Sequence, residues 1–263
     1  MTVDPFAVTQ PAPGGLVING ARVAVPGTRV VTWLDDPRRA PPITDGSRRG
    51  VDECIAVVWH TSKGILCREA LPDPVPSTLA ETLALYQSRT EKEVSWHITV
   101  DTDADVLQQA DLERWTAWHA GWTNGWTWGG EMVQRDARGQ LTRPQIVAAA
   151  NVTDAACAAM EIPRRVLVGA DGRPWTGPVL DLVSPRAIHY KTGKSLGGRG
   201  KTWAGVLMHA HVSHRSAGDG KGKGTGRGPG DCGPLLMAEL IARGYARHVV
   251  GPDGRIAKEP LAA

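Results

Sequence analysis

The sequence predicts an α/β fold in one domain, and three observations predict it. Strand patterns recur along the chain: a continuous β-branched-rich apolar run at CIAVVW (54–59), alternation at VSWHITV (94–100), TWGGEMVQ (127–134) around a carboxylate, and the apolar VLM (206–208). A long helical pattern, LTRPQIVAAANVTDAACAAMEI, stands between the last two. No repeat and no second segment with a core of its own interrupts the series, and 263 residues are enough for one sizeable core.

Taken in order, residues 1–15 are rich in Pro and Gly and read as an extended arm. LVINGARVAV places Asn19-Gly20 between apolar pairs, the signal of a small hairpin. Residues 35–52 are turn chemistry throughout, so the main domain is expected over 51–250, with 1–50 as an arm and hairpin before it. CIAVVW is a continuous apolar run, as a strand buried on both faces requires, and His60 stands where it ends. Thr78 and Glu81 form a capping box ahead of LALYQ and predict a helix there.

After VSWHITV, the stretch DTDADVLQQADLE has the look of a calcium loop. Its sixth and twelfth positions hold Val106 and Leu112, where such a loop needs Gly and Glu, so a turn into a third strand is the better reading. Trp115, Trp118 and Trp122 fall at the spacing of one helical face and read as core packing, whereas Trp126 and Trp128 sit beside glycines and read as loop or strand edge. TWGGEMVQ reads as a strand carrying Glu131 between apolar neighbours. Thr142 and Gln145 supply a second capping box, with Pro144 in the first turn. Residues 163–203 alternate short apolar runs with Gly- and Lys-rich turns and read as an insertion. LLMAELIARGYARHV predicts a terminal amphipathic helix.

Composition removes several function classes. A formal charge of +3 is too small to argue for nucleic acid, although Lys191, Lys194, Arg199, Lys201, Arg215, Lys221, Lys223 and Arg227 form one basic segment that could meet an anionic polymer. Four cysteines without a CxxC pair argue against a disulfide framework. The N-terminus has neither a basic start nor an apolar core, so no signal peptide is expected, and no apolar run is long enough to span a membrane. SLGGRGKT (195–202) misses the phosphate-loop pattern, because Ser195 stands where its first glycine belongs. HExxH is absent.

What remains is a distributed metal site. VLM delivers His209 from a strand end, a Gly-rich loop follows, and Asp231 and Cys232 stand just before a helical pattern. Glycine lets such a loop double back, and His60 offers a third donor from upstream. Three protein ligands with a fourth position left for water is the usual zinc arrangement of a hydrolase.

VVWHTS, VSWHITVDTDADVLQ, WHAG, WGGEMV, and HAHVS with DCGPLL occur in the order found in one family. In these five pieces the chain resembles the zinc-dependent N-acetylmuramoyl-L-alanine amidases, which include phage endolysins, cytosolic muropeptide amidases and peptidoglycan recognition proteins. The resemblance implies a single domain with a central mixed β-sheet flanked by helices. It implies His60, His209 and Asp231 as ligands of Zn2+, Glu131 as general base, and substrate contacts from Trp96, His119 and Arg227. The implied reaction is cleavage of the amide between N-acetylmuramic acid and L-alanine by zinc-activated water.

Departures from the family pattern leave two choices open. Met208 precedes His209 where a small residue is usual; His211 would follow Ala210, yet it would put His214 where a valine belongs, so His209 is preferred. Cys232 replaces a proline and competes with Asp231. Pro229 stands where a cation is usual, which leaves Arg227 or Lys223 to substitute, and Trp96 stands where some members carry a tyrosine. The expected partner is bacterial peptidoglycan, with no nucleic acid and no integral membrane contact. The expected role is an endolysin made without a signal peptide and acting on the host wall after release. A cytosolic recycling amidase and a non-catalytic peptidoglycan-binding module are the alternatives.

Overall fold

A computed structural model of the chain describes residues 14–44, 46–50, 53–62, 79–89, 95–134, 141–182, 203–216 and 233–260. Strands β1 (Leu16–Ile18), β2 (Ala21–Val23), β3 (Val30–Thr32) and β4 (Ser47–Arg48) lead to β5 (Ala56–Thr61). Helix α1 (Leu79–Arg89) precedes β6 (Ile98–Val100), β7 (Val106–Gln108), β8 (Trp115–Thr116), a 3-10 turn at Gly121–Trp126, and β9 (Thr127–Met132). Helix α2 (Arg143–Ala159), β10 (Arg165–Val168), β11 (Gly205–Met208), α3 (His209–Ser216), α4 (Gly233–Ala242), β12 (Ala246–Val250) and β13 (Ile256–Pro260) complete the order.

Among the described residues, six strands make the central sheet, in the order β11-β5-β9-β6-β7-β3. All neighbours are parallel except β6 and β7, so the sheet is mixed, as expected. Every residue of β5 and β9 is buried, which explains why CIAVVW, leading through β5, reads as a continuous apolar run.

The two faces differ in what covers them. On one, α2 and α4 pack over Val57, Trp59, Ile98, Trp128, Met132 and Val206. The capping box of Thr142 and Gln145 starts α2 as the sequence predicts. The Trp59 and Trp128 rings meet edge to face at 5.6 Å, and the Trp59 indole donates to Thr153 Oγ1 at 3.0 Å. On the other face, Val31 and Leu107 meet Ala80 and Leu83 of α1. Val58 and Leu207 meet Leu167, Val179, Leu182 and Trp203. Between these two apolar clusters the sheet carries polar side chains.

Several expectations need correction. Residues 16–32 are not an arm before the domain: β3 pairs with β7 at the edge of the central sheet, and Leu16, Ile18 and Val30 belong to the main core. The β1–β2 hairpin turns at Asn19 and Gly20, both with positive φ, and the Asp111 carboxylate accepts both amides. Residues 163–182 are not an outlying insertion either. β10 joins β12 and β13 in a three-stranded sheet whose Leu167 is core. The tryptophan segment is not one α-helix: Trp115 lies in β8, Trp118 is exposed, Trp122 falls in the 3-10 turn, and Trp126 and Trp128 are buried rather than at an edge. The terminal helix stops at Ala242, Gly244 takes a positive φ, and the rest of the predicted helix becomes β12. The Thr78 cap and the 183–202 segment lie outside the described residues.

Candidate metal centre

β5 and β9 run parallel with His60 beside Glu131, and β6 adds Thr99 beside Glu131. Residues paired in this way point to the same face of a sheet. His60 and Glu131 therefore share the polar gap between the two apolar clusters, and both are 6% exposed. β11 pairs parallel with β5, Met208 beside Trp59, and the chain leaves the strand there. His209 is the first residue of α3, so it turns back over the end of β5.

The consequence is a close imidazole pair. His209 Nδ1 lies 2.8 Å from His60 Nδ1, with the rings edge to face. On its other side, His60 Nε2 lies 3.1 Å from His119 Nδ1, and His119 Nε2 lies 3.2 Å from Thr127 Oγ1. The His119 ring rests flat against β9 because residue 129 is glycine; a Cβ there would collide with the imidazole. Gly130 does the same on the opposite face for Trp59. Asn124 steadies the turn, its Oδ1 accepting the His119 and Ala120 amides at 3.1 and 2.7 Å.

Burial keeps these rings neutral. It holds His60 well below the usual histidine range, and the neighbouring His209 and His119 push the same way. Burial likewise lowers His119, with His97 adding to it, and lowers His209. His97 is driven to about 3 by burial and then by the Arg49 charge. Its Nδ1 accepts the Gly129 amide at 3.1 Å, and its Nε2 faces the Trp115 carbonyl at 2.8 Å. The buried Arg49 guanidinium donates to the carbonyls of Glu113 and Thr127 at 2.9 and 2.7 Å, tying the 113–127 segment together.

His211 does not join this cluster. It is fully buried, its Nδ1 accepts the Met208 amide and its Nε2 faces the Trp175 carbonyl. β11 ends at Met208, so His209 stands at a strand end as the sequence reading has it, and α3, which begins there, sends the two histidines into different surroundings. Trp96 is also corrected as a substrate contact. Only 2% exposed, it packs with Leu83 and Leu107, and its indole donates to Thr99 Oγ1 at 2.7 Å. His119 has both nitrogens engaged within the protein. Asp231, Cys232 and Arg227 lie outside the described residues.

The sequence from residue 57 to 195, just over half of the chain, matches the model of the family described as N-acetylmuramoyl-L-alanine amidase. The chain belongs to that family. It is a family of amidases acting on peptidoglycan, and the match takes in His60, His119 and Glu131 and ends before His209. No curated protein sequence matches the chain. Among solved structures, wild-type Drosophila PGRP-LB overlays with a TM-score of 0.45 at 12% identity, over 82% of this chain and 94% of its own. PGRP-Hd from Alvinella pompejana gives 0.42 at 12%, over 51% and 81%. A mutant endolysin from Bacillus subtilis gives 0.37 at 20%, over 52% and 80%. The family assignment rests on the sequence match and not on these overlays.

Zinc is the metal this amidase family implies, and the histidine pair fits part of such a site. Two neutral δ nitrogens face one another, and two nitrogens on one tetrahedral zinc at about 2.0–2.1 Å would lie roughly 3.3 Å apart, a small ring rotation away. Among the described residues no three His, Cys, Asp or Glu side chains are grouped to hold a metal. His60 offers a different nitrogen to each neighbour, so the three imidazoles form a chain and not a cluster around one point, and the expected third ligands, Asp231 or Cys232, lie outside the described residues. A groove lined by Leu141, Ile146 and Leu235 opens between α2 and α4, and none of these histidines lines it.

Proposed function

We propose that this amidase is a zinc-dependent peptidoglycan hydrolase that cleaves the amide joining N-acetylmuramic acid to L-alanine, and that it serves as an endolysin. The observation that carries the reading is the facing pair of neutral His60 and His209 nitrogens beside Glu131, on one face of the sheet. His60 and His209 would hold the ion, with Asp231 as the third ligand and Cys232 as its competitor. Bound zinc supplies Lewis acidity, which lowers the pKa of water from about 16 toward roughly 7 and polarises a carbonyl.

The rest falls to the protein. Glu131, held in β9 beside His60, takes a proton from the attacking water on a carboxylate oxygen and returns it to the departing L-alanine nitrogen. Water thus adds to the lactyl carbonyl carbon, the C–N bond breaks, and acid and amine are released. The run of Lys and Arg between 191 and 227 supports a wall polymer as substrate, since that segment contains a single acid, Asp219.

Purified protein should retain about one zinc per chain and clear bacterial walls while exposing new L-alanine amino termini. His60→Ala should lose both metal and activity. Full activity of metal-free protein in excess chelator would end the zinc reading. Activity on soluble muropeptides with none on intact walls would replace the endolysin role with a recycling one. Zinc-edge X-ray absorption separates the third ligands, because a sulfur shell near 2.3 Å would sink Asp231 in favour of Cys232.

A further inference from the structure

We infer that His119 is a positioning residue that fixes the tautomer of His60, leaving the His60 Nδ1 lone pair bare and aimed at His209. This rests on the proposal that His60 and His209 hold a metal, and it assigns His119 to the ion's support in place of the substrate.

The argument follows hydrogen atoms along the chain of contacts. Thr127 Oγ1 has one hydrogen, and it donates to the Thr123 carbonyl at 3.0 Å, an atom that can only accept. At 3.2 Å from His119 Nε2 the hydroxyl oxygen is therefore the acceptor, and His119 carries its proton on Nε2. A neutral imidazole has one N–H, so His119 Nδ1 is a lone pair. The atom 3.1 Å from it, His60 Nε2, must then be the donor. His60 is left with a bare Nδ1, the atom 2.8 Å from His209 Nδ1.

A second observation comes from β9. The strand carries glycine at 129, opposite the His119 ring, where any side chain would displace the imidazole. Giving up a side chain inside a fully buried strand weakens the strand, and here it makes room for one ring placed between His60 and Thr127. Groups that orient a metal-bound histidine through its other nitrogen typically change affinity by about 10- to 100-fold when removed.

The test uses the full chain, metal-free and zinc-loaded. Nitrogen-15 NMR of the metal-free protein should show His60 protonated on Nε2 and His119 on Nε2. His119→Phe should disturb the His60 pattern and weaken zinc binding, measured by chelator competition, by about 10- to 100-fold. His119→Asn keeps an acceptor oxygen near the δ position and should recover most of that loss. Thr127→Val, which removes only the far hydroxyl, should weaken zinc by a smaller factor and serves if the His119 variants do not fold. A wild-type His60 protonated on Nδ1, or zinc affinity unchanged in both His119→Phe and Thr127→Val, would overturn the inference. If wild-type protein binds no zinc yet shows the expected tautomers, disturbed in His119→Phe, the metal reading fails and the positioning role stands.

Discussion

His211 Nε2 lies 2.8 Å from the carbonyl oxygen of Trp175. That contact, with the Met208 amide on Nδ1, uses both ring nitrogens to hold the 175 segment against the start of α3. His211→Ala should therefore keep zinc and lose stability, by about 1–3 kcal/mol for each buried group left without a partner. His209→Ala should lose zinc with little change in stability. Metal analysis after dialysis, paired with urea unfolding, checks both. Metal loss in His211→Ala with retention in His209→Ala would reverse the assignment.

Glu131→Gln should keep the fold and the zinc while lowering turnover by about 10²-fold or more, the usual worth of a positioned acid–base group. The amide has nearly the shape of the carboxylate and cannot take the proton. Wild-type lysis by this variant would make Glu131 a structural residue only.

The adjacent glycines of β9 should give separable phenotypes. Ala at 130 meets the Trp59 ring on the α2 face, and Ala at 129 meets His119 on the other. Overpacking of this kind costs about 1–3 kcal/mol, so both variants should be less stable. Only Gly129→Ala should weaken zinc binding, because its face of β9 is the one that carries Glu131 and meets His60 and His119. Equal zinc affinity in the two proteins would contradict the geometry.

His97 predicts a pH dependence. Burial holds it at about 3 in the fold, against 6.5 for an ordinary histidine. Between those values the unfolded chain binds a proton that the folded chain refuses. This contribution is intact above pH 6.5 and is lost progressively as the pH falls toward 3. The slope from one such group is at most about 1.4 kcal/mol per pH unit. Denaturant unfolding of metal-free protein from pH 7 to 4 should be shallower in pH by about one proton for His97→Gln. An unchanged slope would show that His97 is not the group refusing the proton.

Elements were legible in the sequence where one residue pattern decided them. The continuous apolar run that leads into β5 and the Thr142–Gln145 box of α2 needed no partner to be read. β3 was not legible, since three residues between turns become a strand only by pairing with β7. Trp115, Trp118 and Trp122 copied a helical spacing that a bridge and a 3-10 turn also produce. The YARHV stretch read as helix, although Gly244 before it is the usual stop signal.

In the candidate site, the strand positions of His60 and Glu131 were visible, because each lies on a six-residue strand. The preference for His209 over His211 came from the family pattern, whereas the end of β11, which separates the two side chains in the fold, is not set by periodicity. His97, Thr127 and the need for Gly129 were missed, because each matters only through what the fold lays across it.

His60 and His209 are 149 residues apart along the chain and 2.8 Å apart in space. A contact this distant in sequence cannot form early, since the loop-closure entropy of the long intervening segment must be met by other contacts first. β5 must already lie beside β11 before α3 can carry His209 across it. During synthesis, a chain halted before residue 209 has His60 without that partner, however well β5 and β9 have paired. The imidazole pair is thus a late product of folding, and its formation marks a chain whose central sheet has closed on its last strand.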